Sequence, residues 1–79
     1  MTKQLIQKNI KLSLEFDSYV VDNPRILRFI PAGTNIIITS AVDKKLSDAN
    51  LTIARESKSE KFMEAHKSGK GWKIRKVKP

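Results

Sequence analysis

The chain contains no cysteine, only three glycines and three prolines, and few aromatic residues. The absence of cysteine excludes disulfide bonds and thiolate metal ligands. No stretch is apolar for long enough to form a membrane span or a signal peptide, so we expect a cytoplasmic protein without a membrane partner. A length of 79 residues predicts a single domain over residues 1–79, with a thin stability margin that self-association would widen.

Acidic residues are also scarce, and the charge is unevenly placed. The chain has 16 Lys and Arg against eight Asp and Glu, which gives a net charge of +8. Residues 44–79 contain eleven of the basic and four of the acidic residues, and therefore supply +7 of that net charge. A field of one sign attracts polyanions, but it specifies neither a fold nor a reaction.

Residues 3–22 are predicted to form a helix. Residues 10–16 alternate between apolar and polar as a strand would, but on a helical wheel the polar residues gather in one stripe. The stripe contains Gln4, Lys8, Lys11, Glu15, Ser18 and Asp22. The remaining apolar arc is wide, and Asn9, Ser13 and Asp17 divide it into two flanks. This predicts that one flank packs on a sheet and the other on a second copy of the chain; one broad core face is the alternative.

The rest of the chain predicts alternating strands and helices. The predicted elements are a helical turn at 25–30, a strand at 34–40, a helix at 44–67 with a kink near 57–59, and a strand at 72–77. The β-branched strand 34–40 is expected at the centre of the sheet, in parallel with strand 72–77. These elements predict a small α/β domain of α-β-α-β order, in which a parallel strand-helix-strand unit packs on the N-terminal helix.

Four stretches of the sequence resemble a known family. They are the run from Asn9 to Tyr19, the Asn23-Pro24 pair, Ile30-Pro31 before the hydrophobic strand, and residues 43–54. Together they resemble a family of small prokaryotic α/β domains of unknown function over about residues 9–54. The resemblance implies a helix in the first segment, and it implies no catalytic or binding residue because the family has none assigned.

Residues for catalysis or metal binding are few. The only histidine, His66, lies near a predicted helix end, where a solvated capping role is expected. Glu56, Glu60 and Glu64 form a row at a spacing of four, but the nearby lysines favour a solvated charged face over a metal site. We therefore expect no catalytic residues, no metal, no cofactor and no enzymatic activity.

Two groups of residues are candidates for binding anions. Hydroxyls and lysines meet where strand 34–40 leads into the next helix, although Asp43 would compete with an anion there. This weak anion corner consists of Thr39, Ser40, Lys44 and Lys45. A C-terminal basic strip could contact phosphates while its tryptophan stacks on a base, or the tryptophan could dock into the core and the basic residues protect an edge strand. The strip consists of Lys70, Trp72, Lys73, Arg75 and Lys76.

The leading functional hypothesis is a non-enzymatic domain that forms a homodimer and acts by protein contact. A small basic nucleic-acid-binding protein is the first alternative, and strands over residues 10–22 would favour it by indicating a small β-barrel. Anion or phosphate binding at the Ser40–Lys45 corner is the second alternative.

Overall fold

The structure is a computed structural model that describes residues 2–57 and 61–77. The elements, in chain order, are α1 (Lys3–Asp22), a 3₁₀ helix (Pro24–Phe29), β1 (Asn35–Ser40), α2 (Lys44–Glu56), β2 (Phe62–Ser68) and β3 (Gly71–Lys76). The predicted small α/β fold is confirmed. The domain combines helices with one three-stranded mixed sheet.

The sheet differs from the prediction in which strand lies at its centre. Its order is β1-β2-β3, with β1 parallel to β2 and β2 antiparallel to β3. The strand predicted at 34–40 is therefore an edge strand, and its parallel partner is β2 rather than the strand predicted at 72–77. The parallel strand-helix-strand unit is β1-α2-β2.

The helix predicted over 44–67 is wrong beyond Glu56, because residues 62–68 form β2. Ser57 is the C-cap of α2, and the rest of the predicted kink lies outside the described residues. β2 contains no β-branched residue, yet it pairs with a strand on each side, so tertiary pairing overrides its local preference. Gly69 has a φ of +61° in the two-residue turn between β2 and β3. Glycine adopts this left-handed conformation without steric cost, which favours the hairpin over a continued helix.

The two faces of the sheet differ in chemistry. Side chains alternate along a strand, so every second residue of β1, β2 and β3 points to the same side. On the near face, which α1 covers, Ile38, Ala65 and Trp72 form a core with Phe16 of α1 and Leu46 of α2. The rings of Phe16 and Trp72 pack at 5.0 Å between centroids. The opposite face, which we call the far face, carries the buried Ile37 together with polar and charged side chains.

The free edge of β1 is closed by side chains of α2. Asn50 donates a hydrogen bond of 2.8 Å to the Ile38 carbonyl, and the Ser47 hydroxyl accepts one of 2.9 Å from the Ser40 amide. Asn50 also exchanges hydrogen bonds of 2.7 and 3.2 Å with Asn9 of α1. Asn9, one of the three polar residues that divide the apolar arc of α1, therefore ties α1 to α2 within one chain.

Candidate functional site

A buried carboxylate lies at the middle of the far face. Glu64 of β2 is 5% exposed, although its neighbours in sequence suggested a solvated helix. Arg75 of β3, its cross-strand partner, donates from Nε and from one terminal nitrogen, both at 2.9 Å, to the two carboxylate oxygens. The planar guanidinium matches the geometry of the carboxylate, so Arg75 and Glu64 form a bidentate ion pair, which is among the stronger kinds of hydrogen-bonded pair.

The network continues from Glu64 to the only histidine. The Thr39 hydroxyl of β1 donates to Glu64 Oε2, and the Thr39 oxygen lies 2.8 Å from His66 Nδ1. A hydroxyl has one hydrogen, which Thr39 gives to the carboxylate, so Nδ1 of His66 must donate to Thr39. The second ring nitrogen, Nε2, has no hydrogen-bond partner within residues 2–57 and 61–77. We call Thr39, Glu64, His66 and Arg75 the far-face cluster.

Two opposing effects set the pKa of Glu64. Burial alone would raise the pKa, but the hydrogen bonds from Arg75 and Thr39, with the positive charge of Arg75, outweigh it and hold the pKa below the ordinary value. The same hydrogen bond raises the pKa of Arg75. Glu64 is therefore ionised at neutral pH, and its negative charge is already matched inside the protein.

An open hollow of about 340 Å³ lies over the far-face cluster. The cluster forms one part of its lining, and the start of α2 with the end of β1 forms the other. The additional lining residues are Ser40, Ala41, Lys44, Ser47 and Leu51. The hollow thus lies at the carboxyl end of a parallel strand and the start of the next helix, where open α/β sheets bind ligands.

The predicted anion corner is only partly brought together. Thr39, Ser40 and Lys44 line the hollow, whereas Lys45 does not. The two hydroxyls have protein partners, since Thr39 donates to Glu64 and Ser40 Oγ accepts from the Val42 amide. Asp43 caps α2 by accepting from the Leu46 amide at 3.1 Å, and Lys8 contacts its other oxygen at 2.9 Å. Those contacts with Lys8 and Leu46 hold the pKa of Asp43 below its ordinary value.

The C-terminal basic strip is split between the two sides of the sheet. Lys70, Lys73 and Lys76 are exposed, but Trp72 is 9% exposed and lies against Phe16 in the core. This placement favours the core interpretation of Trp72. Arg75 is engaged with Glu64. Contact with nucleic acid stays a prediction, and it would depend on the exposed lysines.

Sequence reasoning missed Glu64 and His66 as members of a site. Both were predicted on or beside a solvated helix, which is wrong because both lie in the central strand. The pairing of Glu64 with Arg75 depends on the hairpin register, and a helical interpretation of residues 62–68 cannot produce it. The alternation of polar and apolar residues in Glu64-Ala65-His66 was the available signal for a strand.

A larger crevice of about 400 Å³ lies between α1 and the ends of β1 and β2. Two of its three lysines, Lys8 and Lys67, each contact an acid of the same crevice, Asp43 and Glu15 respectively, at 2.9 Å, and Lys11 is the third. These pairs link α1 to the rest of the fold, so a structural role explains them.

The second candidate surface is the side of α1 that faces away from the sheet. Ile6, Ile10, Leu14 and Val21 are 47, 58, 63 and 78% exposed. We call these four residues the outer face of α1. The helix thus carries apolar side chains on two sides, and residues 2–57 and 61–77 cover only one of them.

In the described part of the chain, no group of three or more His, Cys, Asp or Glu side chains is arranged to hold a metal ion. No helix among those residues is both long enough and apolar enough to cross a membrane.

The fold defines a small mixed α/β domain with a charged cluster on one sheet face and an exposed apolar helix face. The chain belongs to a family of unknown function (DUF5647), whose profile matches residues 4–65. The match runs from α1 into β2 and includes Glu64. No curated protein and no solved structure matches the chain.

Proposed function

We propose that this domain is a non-enzymatic protein-interaction module that pairs with a second copy of itself through the outer face of α1. The observation that carries the proposal is the row of four exposed apolar side chains along one helix. A single exposed apolar residue is ordinary, whereas several on one side of a helix are typical of an interaction surface. A cytoplasmic location belongs to the same proposal.

The charges of α1 suggest how the two copies are oriented. All its basic residues precede all its acidic residues: Lys3, Lys8 and Lys11, then Glu15, Asp17 and Asp22. The helix dipole favours the opposite order, with anions at the N-terminus and cations at the C-terminus. An antiparallel second copy sets the basic half beside the acidic half, and so compensates an order that a lone helix disfavours.

The spacing within α1 also defines a register. Lys3, Ile10 and Asp17 are seven residues apart, so they lie on the same side of the helix. A two-fold axis at Ile10 places Lys3 of one copy beside Asp17 of the other, and Ile6 beside Leu14. Lys3 and Asp17 form no ion pair within the described residues, so both are available for this contact.

A parallel arrangement is less favourable for the same residues. It would place Lys3 beside Lys3 and Asp17 beside Asp17, and like charges in contact are destabilising. The surface is also small, since a 20-residue helix is about 30 Å long. We therefore expect a weak dimer with a micromolar dissociation constant, rather than an obligate one.

Sedimentation equilibrium over about 1 to 500 µM protein tests the proposal, because a weak dimer is populated by mass action. The wild type is expected to approach the mass of two chains, and Leu14→Asp to remain at one. Ile53→Asp is the matched control, since Ile53 is a 48% exposed isoleucine on α2. A wild type that stays at one chain throughout, or an equal effect of both substitutions, would contradict the proposal.

A further inference from the structure

We propose that the hollow on the far face binds a small oxyanion of the phosphate class, held by Lys44, His66 and Arg75. These residues come from α2, β2 and β3, and all three line the hollow of about 340 Å³. This site does not depend on self-association, because the outer face of α1 contributes no residue to it.

The charge balance of the hollow favours an anion. Among the described residues that line it, Glu64 is the only acidic one, and both of its oxygens accept hydrogen bonds from Arg75. Lys44 contacts Asp48 at 3.1 Å, but both side chains are well exposed, and a solvated pair of this kind is weak. Positive charge therefore remains in the hollow after the internal pairing is complete.

The hydrogen bonds of the cluster orient His66 toward a ligand. Nδ1 donates to Thr39, so Nε2 is the ring atom that is free to act. When the ring is protonated, Nε2–H is a charged donor to an oxyanion. The side chain of His66 is only 20% exposed, so water solvates it poorly and a bound anion would replace that missing partner.

Glu64 and Thr39 are positioning residues in this arrangement. Glu64 fixes the guanidinium of Arg75 by two hydrogen bonds, and Thr39 connects Glu64 to the histidine ring. Glu64 is 5% exposed, whereas the Arg75 side chain is 53% exposed. The guanidinium is therefore held in place by a buried partner and is still accessible to a ligand.

The site differs from the anion corner expected from sequence. Thr39 donates its only hydroxyl hydrogen to Glu64, Ser40 Oγ accepts from the Val42 amide, and Lys45 lies outside the hollow. His66 and Arg75 take the place of these residues as the donors. Only Lys44 is common to both sets of anion-binding groups.

The experiment is a titration with inorganic phosphate followed by NMR of the backbone amides and the His66 ring nitrogens. The free protein should show the Nδ1–H form of His66, and phosphate should produce saturable shifts at His66 and Lys44 with a millimolar dissociation constant. Lys44→Gln should weaken binding about fivefold, and Lys45→Gln by less than about twofold. Both lysines are exposed, so neither variant threatens the fold.

A second pair of variants tests the positioning role. Thr39→Val should remove the hydrogen bond that orients the His66 ring, so the Nδ1–H preference should be lost and phosphate binding should weaken; Thr39→Ser should restore both properties. Adenosine monophosphate is the second probe: binding more than about tenfold tighter than phosphate identifies a nucleotide as the source of the anion, and equal binding identifies free phosphate. Absence of saturable shifts at about 20 mM phosphate would overturn the proposal, as would equal weakening by Lys44→Gln and Lys45→Gln.

Discussion

The two apolar sides of α1 have the same chemistry and different surroundings. On the side toward the sheet, Phe16 is buried against Trp72 and Leu46. On the opposite side, Ile10 and Leu14 expose more than half of their surface. The comparison shows that the width of an apolar arc indicates how much surface a helix can bury, but not how much of it one chain covers.

Among the described residues, the sheet side of α1 packs against the core and the outer face is left uncovered. The two sides should therefore respond differently to the same kind of substitution. A substitution on the sheet side should change the free energy of unfolding, and one on the outer face should change the affinity of the dimer.

The largest expected effect comes from truncating a side chain on the side of α1 that faces the sheet. Phe16→Ala should lower the free energy of unfolding by about 3–5 kcal/mol, because it opens a cavity beside Trp72. Leu14→Ala should change it by less than about 0.5 kcal/mol at a dilution where the protein is monomeric. Urea denaturation of both variants measures the difference. Equal losses would contradict the assignment of the two sides.

The same contrast extends to the sheet, whose far face is stabilised by charge. The pKa of Glu64 lies below its ordinary value, so the folded state binds fewer protons than the unfolded state near that pKa. The stabilisation is therefore present above about pH 4.5 and is lost as the pH falls through the folded pKa. Glu64→Gln should cost about 1–3 kcal/mol at neutral pH and flatten this acid dependence.

Asp43→Asn is the matched control for Glu64→Gln. Asparagine keeps the N-cap of α2, while the substitution removes another carboxyl whose pKa is lowered. Urea denaturation between about pH 3 and pH 7 should show a smaller flattening for Asp43→Asn than for Glu64→Gln. The reverse order would contradict the account of the far face.

The smallest effect is expected from the charges that flank the outer face. Lys3→Glu should weaken the dimer about three- to tenfold, because it replaces attraction to Asp17 of the second copy with repulsion. Adding Asp17→Lys to the same chain should restore the affinity. Sedimentation measures both steps. A double variant as weak as Lys3→Glu would show that these two residues do not meet.

Local sequence patterns predicted the helix of the first segment and the β-branched strand. The polar stripe from Gln4 to Asp22 matches one side of α1, and the run Ile36-Ile37-Ile38 lies within β1. Both depend on residues that are close together in sequence. The position of β1 at an edge could not be predicted in this way, because the residues that close the edge belong to α2.

The far-face cluster depends on contacts that no local pattern contains. Residues 62–68 lack β-branched side chains, and Glu64, Ala65 and Lys67 favour helices in isolation. Pairing with β1 and β3 makes the segment a strand, and the hairpin turn at Gly69 then aligns Glu64 with Arg75. The site follows from this long-range register, and so the sequence pattern could not predict it.

The central claim is the antiparallel pairing of two copies of α1 about Ile10. The chain has no cysteine, so Ser18→Cys introduces a unique site for a spin label on an exposed position of the helix. Ser18 is eight residues from the two-fold axis at Ile10. In the antiparallel dimer the two labelled positions should therefore lie roughly 25 Å apart between helix backbones, whereas a parallel pair would hold them about 10 Å apart. Dipolar spectroscopy at a concentration that populates the dimer should show the longer distance. A short distance, or no dipolar signal in a protein of dimeric mass, would contradict the account.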